Sequence, residues 1–399
     1  MDSLERAQTA GDRKAEDGPL IVQVVRQYAP GRGGLEDVVA NLSRLLLRRG
    51  FRVRVVTLDR LFQSRDRVLP EREIIDGVEV VRIPWKGSTR YPIAPGVFRH
   101  IGDADLVHVH GIDCFFDALA WTRLLHGKPM VATTHGGFFH TPKFAAIKRI
   151  WFRSVTRLSA LAYRSLLCCS RSDMALFSQI AARTAVLVEN GVDTAKFAAL
   201  SSPTPMRRIV TIGRFSVNKR LDRLFDTMKA LQSVSPEWHL DVVGSPSDLG
   251  EEDLRGEIAR RGLSGYVTLH VGVENAEVRR LIAQASLFAS ASEYEGFGLV
   301  AVEAMSAGLI PVLHPNDAYR VLAAQHPGIS LADFARPEES ATLIEQTFQA
   351  LLADPAGKRD EMMAAASVHA WESVADRYID FYRQALGKPA GSRQRSLSA

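Results

Sequence analysis

Short apolar runs alternate with helix-length segments along this chain, and the alternation is played through twice. Leu20–Val25, Phe51–Thr57, Val78–Ile83, Leu106–Val109 and Met130–Thr134 read as buried strands, with a helix over Leu35–Arg49. After Ser201-Ser202-Pro203-Thr204-Pro205, a linker-like stretch, the pattern restarts. Arg208–Ile212, His239–Val243, Tyr266–Leu269, Leu287–Ser290 and Ile310–Leu313 read as strands, with helices at Leu221–Val234 and Leu299–Ala307. Strands joined through helices form right-handed βαβ units, and these build parallel sheets covered on both faces. The expected fold class is therefore α/β, with two Rossmann-like parallel-sheet domains facing a cleft and helices at the C-terminus.

The expected domains are 19–195 and 206–370, with a last helix at 371–387 that packs back on the first domain. The ends, 1–18 and 388–399, have the polar composition of disordered tails. A length of 399 residues with 46% hydrophobic and 24% charged residues excludes a disordered, collagenous or coiled-coil chain. No apolar run approaches the ~18 residues that span a bilayer. The first residues, MDSLERAQTAGDRKAEDGP, lack the apolar stretch of a secretory signal. Cys114, Cys168 and Cys169 have neither metal-binding nor disulfide-framework spacing. Together these features predict a cytoplasmic protein.

Charge is divided unevenly. Residues 1–190 hold 28 Lys and Arg against 19 Asp and Glu, a net of +9, whereas the remainder nets −4. The basic half is expected to meet something anionic.

Ligands of parallel sheets bind beyond the carboxyl ends of the strands, and the candidate residues follow strands. In Gly213-Arg214-Phe215-Ser216-Val217-Asn218-Lys219 a cationic fork and a point charge sit five residues apart on one βα loop, a pairing suited to a diphosphate without a metal ion. In Glu295-Gly296-Phe297-Gly298-Leu299-Val300-Ala301-Val302-Glu303 the spacing is Glu-x7-Glu. Its glycines admit close approach to backbone, its helix start favours phosphate, and its carboxylates accept from sugar hydroxyls. Asp103-Ala104-Asp105 matches a metal-binding pattern but precedes its strand, where turn chemistry explains it.

With Glu293-Tyr294 before it and Ala304-Met305 after, the Glu-x7-Glu segment resembles the signature of the retaining glycosyltransferases of family 4, which have the GT-B fold. Gly213-Arg214-Phe215 with Lys219, and Asn190-Gly191-Val192-Asp193, resemble further motifs of that family. Glu189 stands where members often carry Pro. His108-Val109-His110-Gly111, Thr133 through Thr141, and Asn218-Lys219-Arg220-Leu221-Asp222 carry a narrower likeness. It is to the α-mannosyltransferases that extend cellobiosyl-diphosphopolyprenol in exopolysaccharide assembly.

The resemblance implies transfer of α-mannose from GDP-mannose to a polyprenyl-diphosphate-linked oligosaccharide, without a metal cofactor. A UDP-sugar donor and a non-catalytic sugar-nucleotide or membrane-binding protein are the alternatives. It implies that Arg214 and Lys219 bind the donor diphosphate, that Glu295 meets the donor sugar, and that Glu303 meets the ribose. Gly296, Phe297, Gly298 and Leu299 complete the donor loop. Gly33 and Gly34 form the first-domain loop at the cleft, His110 lies beside the transferred sugar, and His135 contacts acceptor or sugar. His108 and His110 are expected on opposite faces of their strand, one structural and one functional.

Lys143–Arg164 has Arg149, Arg153 and Arg157 at i, i+4, i+8 beside a stripe of Ile147, Ile150, Trp151, Val155, Leu158 and Leu161. Two readings are open: a helix on an anionic membrane surface, or a domain helix with its apolar face on the sheet. The first places Arg149, Trp151, Arg153 and Arg157 at the membrane and the protein peripherally on the cytoplasmic face. No groove-reading or base-stacking element points to nucleic acid.

Overall fold

The structure, a computed structural model, describes residues 18–31, 33–89, 91–136, 149–295 and 297–387. All of the two expected tails except Gly18 lie outside these residues. The chain divides into two units: Met1–Gly191 with Trp371–Ala399, and Val192–Ala370.

The sheet of unit 1 has eight strands: β1 (Leu20–Val25), β2 (Arg52–Leu58), β3 (Arg72–Ile75), β4 (Val78–Ile83), β5 (Leu106–His110), β6 (Met130–Thr133), β7 (Ser165–Cys168) and β8 (Ala185–Leu187). Their order is β8-β7-β6-β5-β1-β2-β4-β3. Every pairing is parallel except that of the edge strand β3 with β4. β1 is buried along its whole length, which is why its sequence is a continuous apolar run. β3 alternates exposed and half-buried residues and carries charge, as a solvent-facing edge requires.

Helix Gly34–Arg48 covers one face through Val38, Val39, Leu42, Leu45 and Leu46. Acidic Glu36 and Asp37 in its first turn and Arg48 in its last complement the helix dipole. Helix Trp371–Ala385 joins the same cluster from the far end of the chain. Trp371, Val374, Tyr378, Ile379 and Tyr382 recur at helical spacing and are buried against that face.

Unit 2 is an all-parallel sheet of six strands: β9 (Arg208–Ile212), β10 (His239–Gly244), β11 (Val267–Val271), β12 (Leu287–Ser290), β13 (Ile310–Leu313) and β14 (Ser330–Leu331), in the order β11-β10-β9-β12-β13-β14. A fully buried carboxylate, Asp241 on β10, is held by Arg208 of β9 at 2.5 and 3.0 Å and by His270 of β11 at 2.8 Å. The Ser201–Pro205 stretch, linker-like in composition, is packed into unit 2. Ser201 is buried and accepts from the Arg359 guanidinium at its Oγ and carbonyl, at 2.9 and 3.0 Å.

Tyr382 contributes both a buried ring and a hydroxyl to unit 1. Tyr382→Ala is expected to destabilise the unit by about 3–5 kcal/mol, and Tyr382→Phe by about 1 kcal/mol. Urea unfolding followed by circular dichroism measures both.

Candidate active site

The donor-site candidates of unit 2 meet where β9 and β12 end. Gly213 closes β9, and a Cβ there would sit 3.1 Å from Lys219 Cε. The bare backbone thus lets the Lys219 stem fold back over the strand end. A side chain on Gly244 would strike the Gly213 carbonyl oxygen at 1.8 Å, so β10 also needs glycine at this point. Lys219 Nζ donates to Glu295 Oε1 at 2.6 Å, and the Tyr319 hydroxyl donates to the same oxygen at 3.3 Å. Both charged side chains are about four-fifths buried.

Asn218 joins the two loops. Its Nδ2 donates to the Tyr294 carbonyl at 2.8 Å, and its Oδ1 accepts from Tyr294 N at 3.1 Å. The Asn218 carbonyl accepts from Glu293 N at 3.0 Å. Glu293 in turn accepts from Arg220 at 2.5 Å and Arg223 at 2.9 Å. Glu295 is thereby fixed through its neighbours, a prerequisite for holding a reacting group within tenths of an ångström. Arg214 stands apart: it is exposed and has no ion-pair or hydrogen-bond partner among the described residues. Its five N–H donors are available to a ligand.

Helix Leu299–Ser306 starts from Gly298, whose φ of 85° is left-handed. A Cβ there would also meet Tyr319 Cε1 at 2.7 Å. Phe297 packs on the core of unit 2 with its ring against His369. Gly296 lies outside the described residues. Glu303, on the second turn of the helix, is about four-fifths buried and lies 3.6 Å from Lys196 Nζ. Burial raises its carboxyl pKa above the ordinary glutamate value, although Lys196 opposes the shift. Lys196 follows the Asn190–Asp193 motif and lies over the Phe197 ring.

The histidines of unit 1 form one polar cluster at the ends of β5 and β6. Residues two apart on a strand share a face, and His108 and His110 do so. Their rings lie 3.9 Å apart, which corrects the expectation of opposite faces. His108 Nδ1 meets the Tyr382 hydroxyl at 2.7 Å and its Nε2 meets Thr133 Oγ1 at 2.8 Å. His110 Nε2 meets Gln23 Oε1 at 2.5 Å and its Nδ1 meets His135 Nε2 at 2.8 Å.

Burial drives all three imidazoles towards the neutral form: His108 and His110 fall well below the ordinary value and His135 falls to about 4. Neutrality fixes the protons. The Gln23 oxygen only accepts, so His110 Nε2 carries the hydrogen, and His110 Nδ1 accepts from His135 Nε2–H. His110 is thus committed to protein at both nitrogens, and His135 is the more accessible ring.

His135 has a φ of 54°, a left-handed conformation rarely adopted by residues with a side chain. Asp173 holds it there from both sides. Its Oδ2 accepts from Thr134 Oγ1 at 2.5 Å and from Gly136 N at 2.9 Å. Gly33 and Gly34 lie where helix Gly34–Arg48 begins, and the Gly33 carbonyl accepts from Asp37 N at 2.9 Å. Sequence reading missed Gln23, Asp173, Lys196 and Tyr319, none of which stands in a recognisable motif. Tyr378 and Tyr382 were legible only as apolar spacing, although a buried tyrosine hydroxyl demands a partner.

Asp103 and Asp105 have structural roles. Asp103 pairs with Arg54 at 2.7 Å, and Asp105 accepts from Leu20 N at 2.8 Å. In the basic segment, residues 143–148 lie outside those described. From Arg149 onward the core-facing residues are Phe152, Thr156, Ser159 and Ala160. Arg149, Trp151, Arg153 and Arg157 are exposed, and so are Ile150, Leu158 and Leu161 of the apolar stripe. Ile150, Leu158 and Leu161 therefore do not face the sheet.

Residues 32–196 match the family described as Glycosyltransferase Family 4, and residues 192–367 match Glycosyl transferases group 1. The chain belongs to glycosyltransferase family 4. It is 42% identical over 384 residues to the GDP-mannose:cellobiosyl-diphosphopolyprenol alpha-mannosyltransferase of Komagataeibacter xylinus, covering 94% of this chain and 96% of that protein. The protein of the same name from Xanthomonas campestris is 42% identical over 371 residues, covering 92% and 98%. A solved glycosyltransferase from Rickettsia africae superposes with a TM-score of 0.67 at 16% identity, covering 92% of this chain and 99% of its own. The fold is GT-B and the protein is a glycosyltransferase, as the sequence motifs imply.

Gly298→Ala introduces a side chain into a left-handed position and against a buried ring. It is expected to cost at least about 1 kcal/mol from the backbone alone and to weaken donor binding. Unfolding curves and donor titration of the variant check the two effects.

Proposed function

We propose that the enzyme transfers an α-mannosyl group, with retention, from GDP-mannose to a polyprenyl-diphosphate-linked cellobiosyl acceptor. The observation that carries this reading is the 42% identity, over nearly the full length of both chains, to relatives named for that reaction. Unit 2 holds the donor and unit 1 serves the acceptor.

The leaving group is a nucleoside diphosphate that gains negative charge as the glycosidic bond lengthens. Arg214 offers an unpaired guanidinium to it. Lys219 has three ammonium protons and uses one on Glu295, so two remain for phosphate oxygens. Placed cations need no reorganisation when the charge develops, which makes them effective here without a metal cofactor. Glu303 accepts from the ribose hydroxyls, and the N–H groups that open helix Leu299–Ser306 face the phosphates.

Glu295 positions the mannose and does not attack it. Its Oε1 accepts from the Lys219 ammonium and the Tyr319 phenol, which orients the carboxylate towards a sugar hydroxyl. The acceptor hydroxyl attacks from the face that the diphosphate leaves, and the departing phosphate oxygen takes its proton. His135 presents a neutral imidazole on the acceptor side, and His110 behind it fixes the tautomer of that ring. The acceptor is lipid-linked, so the enzyme works peripherally on the inner membrane face, with Arg149, Trp151, Arg153 and Arg157 towards anionic headgroups. Among the described residues no helix is long and apolar enough to cross a membrane.

The decisive assay offers GDP- and UDP-sugars together with a lipid-diphosphate cellobiose. Transfer from GDP-mannose giving an α-linkage is expected; transfer from a UDP-sugar alone overturns the donor assignment. Lys219→Ala is expected to lower kcat about 10²–10³-fold, read under saturating donor. The raised Glu303 pKa places its protonation above the ordinary ~4.3. As pH falls through that value the carboxylate is lost and the donor KM rises; Glu303→Gln should abolish this acid limb in a pH–KM profile.

A further inference from the structure

The basic excess of residues 1–190 is confined to one stretch. Residues 118–172 carry nine Lys and Arg and no Asp or Glu, which equals the whole +9 excess of residues 1–190. Two segments of this stretch also expose large apolar side chains. At the end of helix Cys114–Trp121 and in the short helix Arg123–His126 that follows, Trp121 is 60% exposed, Leu124 98% and Leu125 87%. On the segment from Arg149, Ile150 is 69% exposed, Leu158 66% and Leu161 72%.

The two segments adjoin. Trp121 Nε1 donates to Ser159 Oγ at 3.1 Å, and Ser159 also donates to Asp117 at 2.6 Å. Isolated exposed leucines are ordinary, but six large apolar side chains on two joined segments are not. Ile150, Leu158 and Leu161 follow helical spacing on the outward side, and Arg149, Arg153 and Arg157 run beside them.

We propose that this surface seats in an anionic lipid bilayer. Trp121, Leu124 and Leu125 enter the acyl boundary as a wedge, Ile150, Leu158 and Leu161 lie along it, and the three arginines rest on headgroup phosphates. The charge selects this occupant. A second copy of the chain would set Arg149, Arg153 and Arg157 against like charges, whereas an anionic leaflet neutralises them and also accepts the apolar groups. The proposal rests on the reading of a lipid-linked acceptor, and it names the residues that hold the enzyme where such a lipid lies.

Flotation of the full-length protein with vesicles of phosphatidylcholine, with and without phosphatidylglycerol, tests it. The wild type is expected to bind the phosphatidylglycerol vesicles and to release in raised salt. L124S/L125S should partition at least about tenfold more weakly, with unchanged far-UV circular dichroism and unchanged transfer to a short-chain, water-soluble acceptor. L158S/L161S supplies an independent second variant. Arg149→Ala with Arg153→Ala and Arg157→Ala should remove the preference for phosphatidylglycerol.

No binding by the wild type, or undiminished binding by both leucine variants, overturns the proposal. So does a wild-type dimer in light scattering that L124S/L125S dissociates. Vesicle binding needs no substrate, so a wrong donor or acceptor assignment would appear separately, as absent mannosyl transfer to the soluble acceptor.

Discussion

A parallel sheet covered on both faces leaves little room for charge except at the ends of its strands. Both units obey that constraint, and their chemistry follows from it. In unit 2 the strands are apolar until β9 and β12 end, and there Lys219 and Glu295 meet. In unit 1 the sheet admits imidazoles near the ends of β5 and β6. Where a polar group lies inside a strand it is matched at once, as Asp241 is by Arg208 and His270.

The strands that pack on both sides were legible because burial demands an unbroken apolar run: β1, β4, β9, β12 and β13 begin and end where their sequences do. β3 was not, because an edge strand keeps charge on its outer face, and β8 has only three residues. The charged site residues also stood out, being unusual types after strands and beside glycines. Their supports did not. Tyr319 is twenty-four residues from Glu295, and Gln23 is eighty-seven from His110. Only the fold brings such pairs together, and no local pattern encodes them. His108 and His110 mark a different failure, since the period of a strand already places them on one face.

The unit 1 cluster shows what a buried histidine requires. Two neighbouring imidazoles cannot both be charged without water, so each is held neutral and each nitrogen is given a partner. The partners come from β1, from β6 and from the last helix of the chain. The strain at His135 is carried by Asp173 through flanking groups, which leaves the ring itself unencumbered at its second nitrogen among the described contacts.

That last helix has a topological meaning as well. Because Trp371–Ala385 belongs to unit 1, unit 2 is an insertion within unit 1. Its first and last residues lie side by side: Val192 bridges to Ala370, and Val192 N donates to the His369 carbonyl at 2.8 Å. On the unit 1 side Gly191 lies so close to Trp371 that a Cβ would meet the indole at 2.4 Å. A module whose two ends are a single hydrogen bond apart behaves as a cassette. Its surface loops can lengthen or change without reopening the core of unit 1, because both connections cross at one point.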